Sequence, residues 1–158
     1  MVYGAILERG EKYYTYLRKV FEAIVNKQNE YNWLITDCVC YPQTQSIDEK
    51  LSHEYCWLSG NELTSVVENE DFQWIWAVLS GFRKDITLAN ILEFPLPYAD
   101  GYTGFWKNPV SIQHPLASIE IVPWDSSLTL VISNQKDLVD SFIKAFPLSE
   151  DLSLYNAR

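Results

Sequence analysis

The chain has 158 residues, with 12 Lys and Arg against 21 Asp and Glu, a net charge of −9 and a pI near 4.6. That length favours one domain, since domains commonly use about 100–150 residues, and 47% hydrophobic content excludes a disordered chain. The acidic balance argues against nucleic acid and membrane partners, because phosphate backbones and anionic lipid would both be repelled.

The apolar start Met1–Leu7 is too short for a secretory leader, and no run of about 18 apolar residues follows that would span a membrane. Cys38, Cys40 and Cys56 cannot all pair within one chain, so reduced thiols and a cytoplasmic location are expected. Val2 to Glu8 alternates as a first strand. From Glu11 to about Gln28 the apolar period lengthens: Tyr13, Leu17, Val20, Phe21, Ile24 and Val25 line one face of a helix. Tyr31 to Tyr41 reads as a strand, with Trp33, Ile35, Asp37, Val39 and Tyr41 on one side and Leu34, Thr36, Cys38 and Cys40 on the other.

Pro42 to His53 is polar and predicted as a loop, followed by a short strand over Tyr55–Leu58. Ser59 or Asn61 then caps a helix carrying Leu63, Val66 and Val67. Phe72 to Phe82 is apolar on both faces, the pattern of a central strand covered twice; Phe72, Trp74, Trp76 and Val78 should share one side. Ile86 to Phe94 fits helix or strand equally. Pro95 to Pro115 has no period at all, and uninterrupted connections longer than about 12–15 residues are usually functional or mobile. A hairpin follows over Leu116–Ser133, turning at Pro123–Ser126, then a helix with Leu138, Val139, Phe142, Ile143 and Phe146 on its stripe. The residues from about 148 to 158 read as a tail. The expectation is one α+β domain over 1–158, a mostly antiparallel sheet with two to three helices packed on it.

Few residue patterns suggest chemistry. Cys38-Val39-Cys40 with His53 and Cys56 gives four nominal zinc ligands, but their spacing fits no finger or ribbon, and buried cysteines commonly pack as small hydrophobes. A cysteine nucleophile would need His53 or His114 as its base. Asp37 is the best candidate for a half-buried carboxylate, and a pair such as Asp37 and Asp125 would suit glycoside hydrolysis, although Asp125 reads more simply as a turn former. There is no Gly-rich phosphate loop and no Gly-x-Ser-x-Gly elbow. No cofactor is expected.

Aromatic content and charge point instead to binding. Tyr98, Tyr102, Phe105 and Trp106 lie on the long Pro/Gly-punctuated loop, where rings anchor either a protein interface or a sugar. Between Asp48 and Asp71 seven acidic residues face Lys50 alone. Such a patch is either a solubilising surface or a complement to a basic partner, and opposed charge speeds association. Neutral carbohydrate has no use for that field.

The stretches Tyr31-Asn32-Trp33-Leu34-Ile35 and Leu58-Ser59-Gly60-Asn61-Glu62-Leu63 before an aromatic strand are similar to an uncharacterised family of small cytosolic proteins from Gram-positive bacteria. In composition and size the chain also resembles immunity proteins of polymorphic toxin systems. The resemblance implies a non-catalytic inhibitor that neutralises a basic toxin or enzyme. Glu68, Glu70 and Asp71 are expected to make the charge pairs, and Tyr98, Asp100, Tyr102 and Trp106 the anchors, all on one outward patch. A small metal- or cysteine-dependent enzyme, a carbohydrate-binding module and an acidic nucleic-acid mimic are the alternatives.

Overall fold

The computed structural model describes residues 1–158. Its frame is an antiparallel sheet built from β1 (Tyr3–Leu7), β2 (Tyr31–Cys40), β3 (Tyr55–Ser59), β4 (Trp74–Arg83), β5 (Ile119–Trp124), β6 (Leu128–Ser133) and β7 (Glu150–Asp151), in the order β3-β2-β4-β5-β6-β1-β7. β4 sits inside the sheet, as its two apolar faces require. One face carries α1 (Leu17–Ala23), α2 (Gln45–Leu51), α3 (Gly60–Asn69) and α5 (Lys136–Ala145), packed over Trp33, Ile35, Ala77, Leu79, Ile121 and Val131. The other face is covered by the long connection before β5, together with α4 (Leu88–Ile91) and α6 (Leu152–Asn156). The protein is therefore α+β in three layers: helices, sheet, and a largely irregular cover.

Six helices form, against the two to three expected, and the surplus are short. In α2, Ile47 and Leu51 are four residues apart and both buried, so one apolar stripe suffices inside a polar stretch. α4 is a single turn whose cap Thr87 accepts the Asn90 N–H at 3.2 Å. The expected tail is folded: β7 pairs with β1, Asp151 caps α6 by accepting the Leu154 N–H at 3.1 Å, and Leu152 is wholly buried beneath the cover. In the other direction, the helix expected from Glu11 to Gln28 shrinks to α1. Val25 and Asn26 both take positive φ, 57° and 56°, which stops the helix, and Lys27–Glu30 continues as a 3-10 turn. Leu17, Val20, Phe21 and Ile24 keep the buried stripe, while Tyr13 and Val25 are exposed.

The faces of β2 and β4 also differ from simple alternation. Asp37 has φ 49°, and the pairing with β4 slips between Thr36 and Val39 and again between Val39 and Cys40. An extra residue in a strand sends everything beyond it to the opposite face. Cys38 and Cys40 therefore join Trp33 and Ile35 on the helix side, and Trp74 packs there while Trp76 stays under the cover.

Gly60 opens α3 where backbones meet closely. A Cβ there would stand 2.7 Å from Asn29 Cα and 2.8 Å from the Tyr31 carbonyl oxygen, neither of which is a flexible side-chain tip. Gly60→Ala is expected to cost about 2 kcal/mol in denaturant unfolding, the scale of overpacking in a tight core. Ser65→Ala, on the exposed face of the same helix, serves as the near-neutral control. Equal midpoints for the two variants would refute the close-approach argument.

Candidate functional site

The acidic residues gather at the β3 edge of the sheet. Asp48 and Glu49 on α2, Glu54 before β3, and Glu62 and Glu68 on α3 are all exposed. None of the five takes part in an ion pair; the six ion pairs of the molecule lie elsewhere. Between α2 and α3 runs a groove of about 670 Å³, whose walls include Ile47, Lys50, Glu62, Ser65, Glu68 and Asn69. α3 presents these groups because a capping box fixes its start: the Glu62 N–H donates to Ser59 Oγ at 3.1 Å and the Ser59 N–H donates to Glu62 Oε1 at 2.9 Å. Those hydrogen bonds hold the Glu62 carboxyl below its ordinary value, so it stays charged.

Of the three residues expected to pair with a partner, only Glu68 has a free carboxylate. Glu70 accepts the N–H groups of Gln43 and Thr44, each at 2.8 Å, which clamps the β2–α2 connection to the end of α3 and holds the carboxyl low. Asp71 accepts the Arg18 N–H at 3.4 Å at the start of α1, and burial pushes its carboxyl up. These two are anchors of the fold.

The expected aromatic anchors lie across the sheet. Tyr98, Tyr102 and Trp106 belong to the cover, on the face opposite α2 and α3, so acidic groups and rings do not share one patch. Separation follows from the layering: α3 precedes β4 on one side, and the chain crosses to the other side after β4. Tyr98 is 47% exposed, but Tyr102 and Trp106 are half-buried and Phe105 is buried. The rings meet edge to face, Tyr98–Tyr102 at 80°, Tyr102–Phe105 at 72° and Trp106–Trp124 at 89°. That is how aromatic groups pack together, whereas a sugar platform needs an open, flat ring face. Trp106 and Trp124 also join Tyr155, Glu8 and Arg158 around a cavity of about 600 Å³, an arrangement that the folded C-terminus completes.

The cover is held down by polar contacts with the sheet. The Ala99 N–H donates to Asp37 Oδ2 at 2.8 Å, and the exposed Asp100 uses its own N–H for the same oxygen at 3.2 Å. Asp37 is thus a loop anchor at a bulge, not a half-buried acid. Asp125 and Ser126, at φ 51° and 57°, form the β5–β6 turn, closed by the Ser127 N–H donating to the Trp124 carbonyl at 3.0 Å. Beneath the cover, Glu120 on β5 is completely buried. It accepts only the Gln113 N–H, at 3.1 Å through Oε2, while its Oε1 and the hydroxyl of Ser80 opposite it have no partner. Burial raises the Glu120 carboxyl to about 8. Its sequence signal is a lone acid in the apolar run Ile119–Val122 of a strand covered on both faces. His114 is likewise buried, contacts Phe82 and Phe94, and has its ring pushed down by desolvation.

The four nominal zinc ligands do not converge: His53 is exposed, and no group of three or more His, Cys, Asp or Glu side chains is placed to hold a metal ion. Cys38 and Cys40 do meet, with sulfurs 3.6 Å apart. No helix is long and apolar enough to cross a membrane.

A seven-stranded antiparallel sheet with helices on one face and an irregular cover on the other defines the structural class. Compared with known proteins, the chain matches no family model, and neither a curated protein nor a solved structure shows significant similarity to it.

Proposed function

We propose that this protein is a non-catalytic binding protein of the immunity type, which neutralises a basic toxin or enzyme through the carboxylates of α2, the α2–β3 turn and α3. The observation that carries the reading is the uncompensated charge around the α2–α3 groove. Asp48, Glu49, Glu54, Glu62 and Glu68 are exposed there with no ion-pair partner, and Lys50 is the single cation among the groove-lining side chains. A field of one sign draws an oppositely charged partner in by long-range steering, which suits an inhibitor that must capture its target quickly. A standard interface buries about 1,600 Å² in total, roughly half of it on each partner. The rings of the cover are internal packing in this reading, and the interface does not need them.

Charge reversal tests it. Asp48→Lys, Glu49→Lys and Glu68→Lys together leave the capping box and the Glu70 clamp intact. The triple variant should associate with the basic partner about tenfold more slowly at low salt, and the difference should shrink as salt screens the field. Reversal of the exposed Glu93 and Asp100, which lie outside the α2–β3–α3 edge, should slow association far less, through the loss of net charge alone. Equal effects per reversed charge from the two sets would reject the assignment of this edge.

A further inference from the structure

Two of the three cysteines sit where the register of β2 breaks. In an unbroken strand, residues i and i+2 are about 6.6–7.2 Å apart, at or past the long end of the Cα span of a disulfide, usually about 4.4–6.8 Å. Here the β3 ladder ends at Thr36, Asp37 turns left-handed, and the pairing with β4 slips on both sides of Val39. The distortion turns Cys38 and Cys40, which share a face as i and i+2 residues do, together onto the helix side, where their sulfurs lie 3.6 Å apart. A disulfide bond is about 2.05 Å long, so the pair needs roughly 1.5 Å of further approach. Both thiols are partly exposed at the rim of the helix-side core, whereas Cys56, paired with Ile35 on β3, is buried.

We propose that Cys38 and Cys40 form a thiol–disulfide exchange site that accepts small disulfides of the glutathione class. Cys40 is the attacking sulfur, because it is the last residue of β2, next to the exposed Tyr41. Either thiol can donate in the contact between the two sulfurs; with Cys38 as donor, the bond draws the Cys40 thiol down, while that bond and burial push the Cys38 thiol up. The carboxylates of Asp48 and Glu70 lie nearby and oppose the Cys40 thiolate, so its activation comes from the neighbouring thiol.

The exchange runs in two displacements. The Cys40 thiol gives its proton to water and attacks one sulfur of glutathione disulfide. That S–S bond breaks, Cys40 becomes a mixed disulfide, and one glutathione leaves as thiolate and takes up a proton. Cys38 then gives its proton to water and attacks the Cys40 sulfur; the second glutathione leaves and is protonated. Two cysteine thiols are oxidised to one disulfide, and one glutathione disulfide is reduced to two thiols.

The test is incubation of the whole protein with glutathione disulfide, followed by intact mass and peptide mapping. The expected product has lost two hydrogens, carries no glutathione, links Cys38 to Cys40 and leaves Cys56 free. Cys38→Ser should stop at a glutathione adduct on Cys40, and Cys40→Ser should react at least about tenfold more slowly. A stable glutathione adduct on the unaltered protein, a link that includes Cys56, or an undiminished rate in Cys40→Ser would each overturn the assignment. Mapping of the unaltered protein decides the pairing by itself should a serine variant fail to fold.

Discussion

Glu120→Gln is expected to remove most of a fall in stability that the unaltered protein shows between weakly acidic and weakly alkaline pH. Glu120 is completely buried and its folded value stands at about 8, against 4.5 for the ordinary group, because burial disfavours its charged form. Below the lower value both folded and unfolded chains hold the proton, and its favourable contribution is fully present. Between the two values the folded state keeps the proton while the unfolded chain has released it, so stability falls as pH rises, by at most about 1.4 kcal/mol per pH unit. Above about 8 the contribution is gone. The amide of Gln is always neutral, can still accept the Gln113 N–H, and adds a donor beside the unpartnered hydroxyl of Ser80.

Denaturant unfolding of both proteins at about pH 5 and about pH 8 gives the comparison, with a gap that widens by several kcal/mol in favour of the variant at the higher pH. Taking the difference matters, because other groups titrate as well. Glu62 and Glu70 are held low and contribute with the opposite sign, and Asp71, held high, contributes with the same sign. Parallel pH profiles for the two proteins would show that Glu120 is not the neutral, sealed acid described above.

Asp37→Ala is the second change with a large expected effect, about 2–4 kcal/mol. Two causes combine. The N–H groups of Ala99 and Asp100 lose a charged acceptor, and bonds to charged groups contribute about 1.5–3 kcal/mol each when well shielded. Because Asp37 is exposed, the lower end applies to each bond. Position 37 also has φ 49°, a conformation Asp tolerates better than Ala. Asn keeps the left-handed preference and one carbonyl acceptor, so Asp37→Asn should lose only about half as much. Hydrogen exchange is the specific readout: protection should drop first at Ala99 and Asp100, ahead of the sheet. Uniform loss across the molecule would contradict the role of Asp37 as a local anchor of the cover.

The sequence revealed the sheet better than the layers around it. The two apolar faces of Trp74–Arg83 identify a strand inside the sheet, and the 3.6-residue stripe of Leu138, Val139 and Phe142 identifies α5, because burial imposes those periods directly. Bulges leave no such trace. Nothing in Thr36-Asp37-Cys38 announces a left-handed Asp, yet that residue reverses which face Cys38 and Cys40 occupy. No period in the sequence marks α2 or α6, because a helix of one or two turns buries only one or two side chains, Ile47 and Leu51 in the first and Leu152 in the second.

The candidate site was legible in its charge and misleading in its unity. The excess of acid between Asp48 and Asp71 does form an exposed edge, but sequence neighbourhood does not tell which carboxylates bond to their own backbone. Glu70 and Asp71 do; Glu68 does not. The rings of Tyr98–Trp106 are local in sequence and packed in space, on the far face of the sheet, because an irregular segment rich in aromatic residues can itself serve as the second core.

The most direct measurement is the association rate of the protein with its basic partner as a function of sodium chloride concentration, taken for the unaltered protein and for the Asp48, Glu49 and Glu68 reversal. A rate that drops steeply with salt in the former, and is low and nearly flat in the latter, is what an acidic α2–α3 docking edge predicts. Salt-independent capture, or identical curves for both proteins, would contradict it.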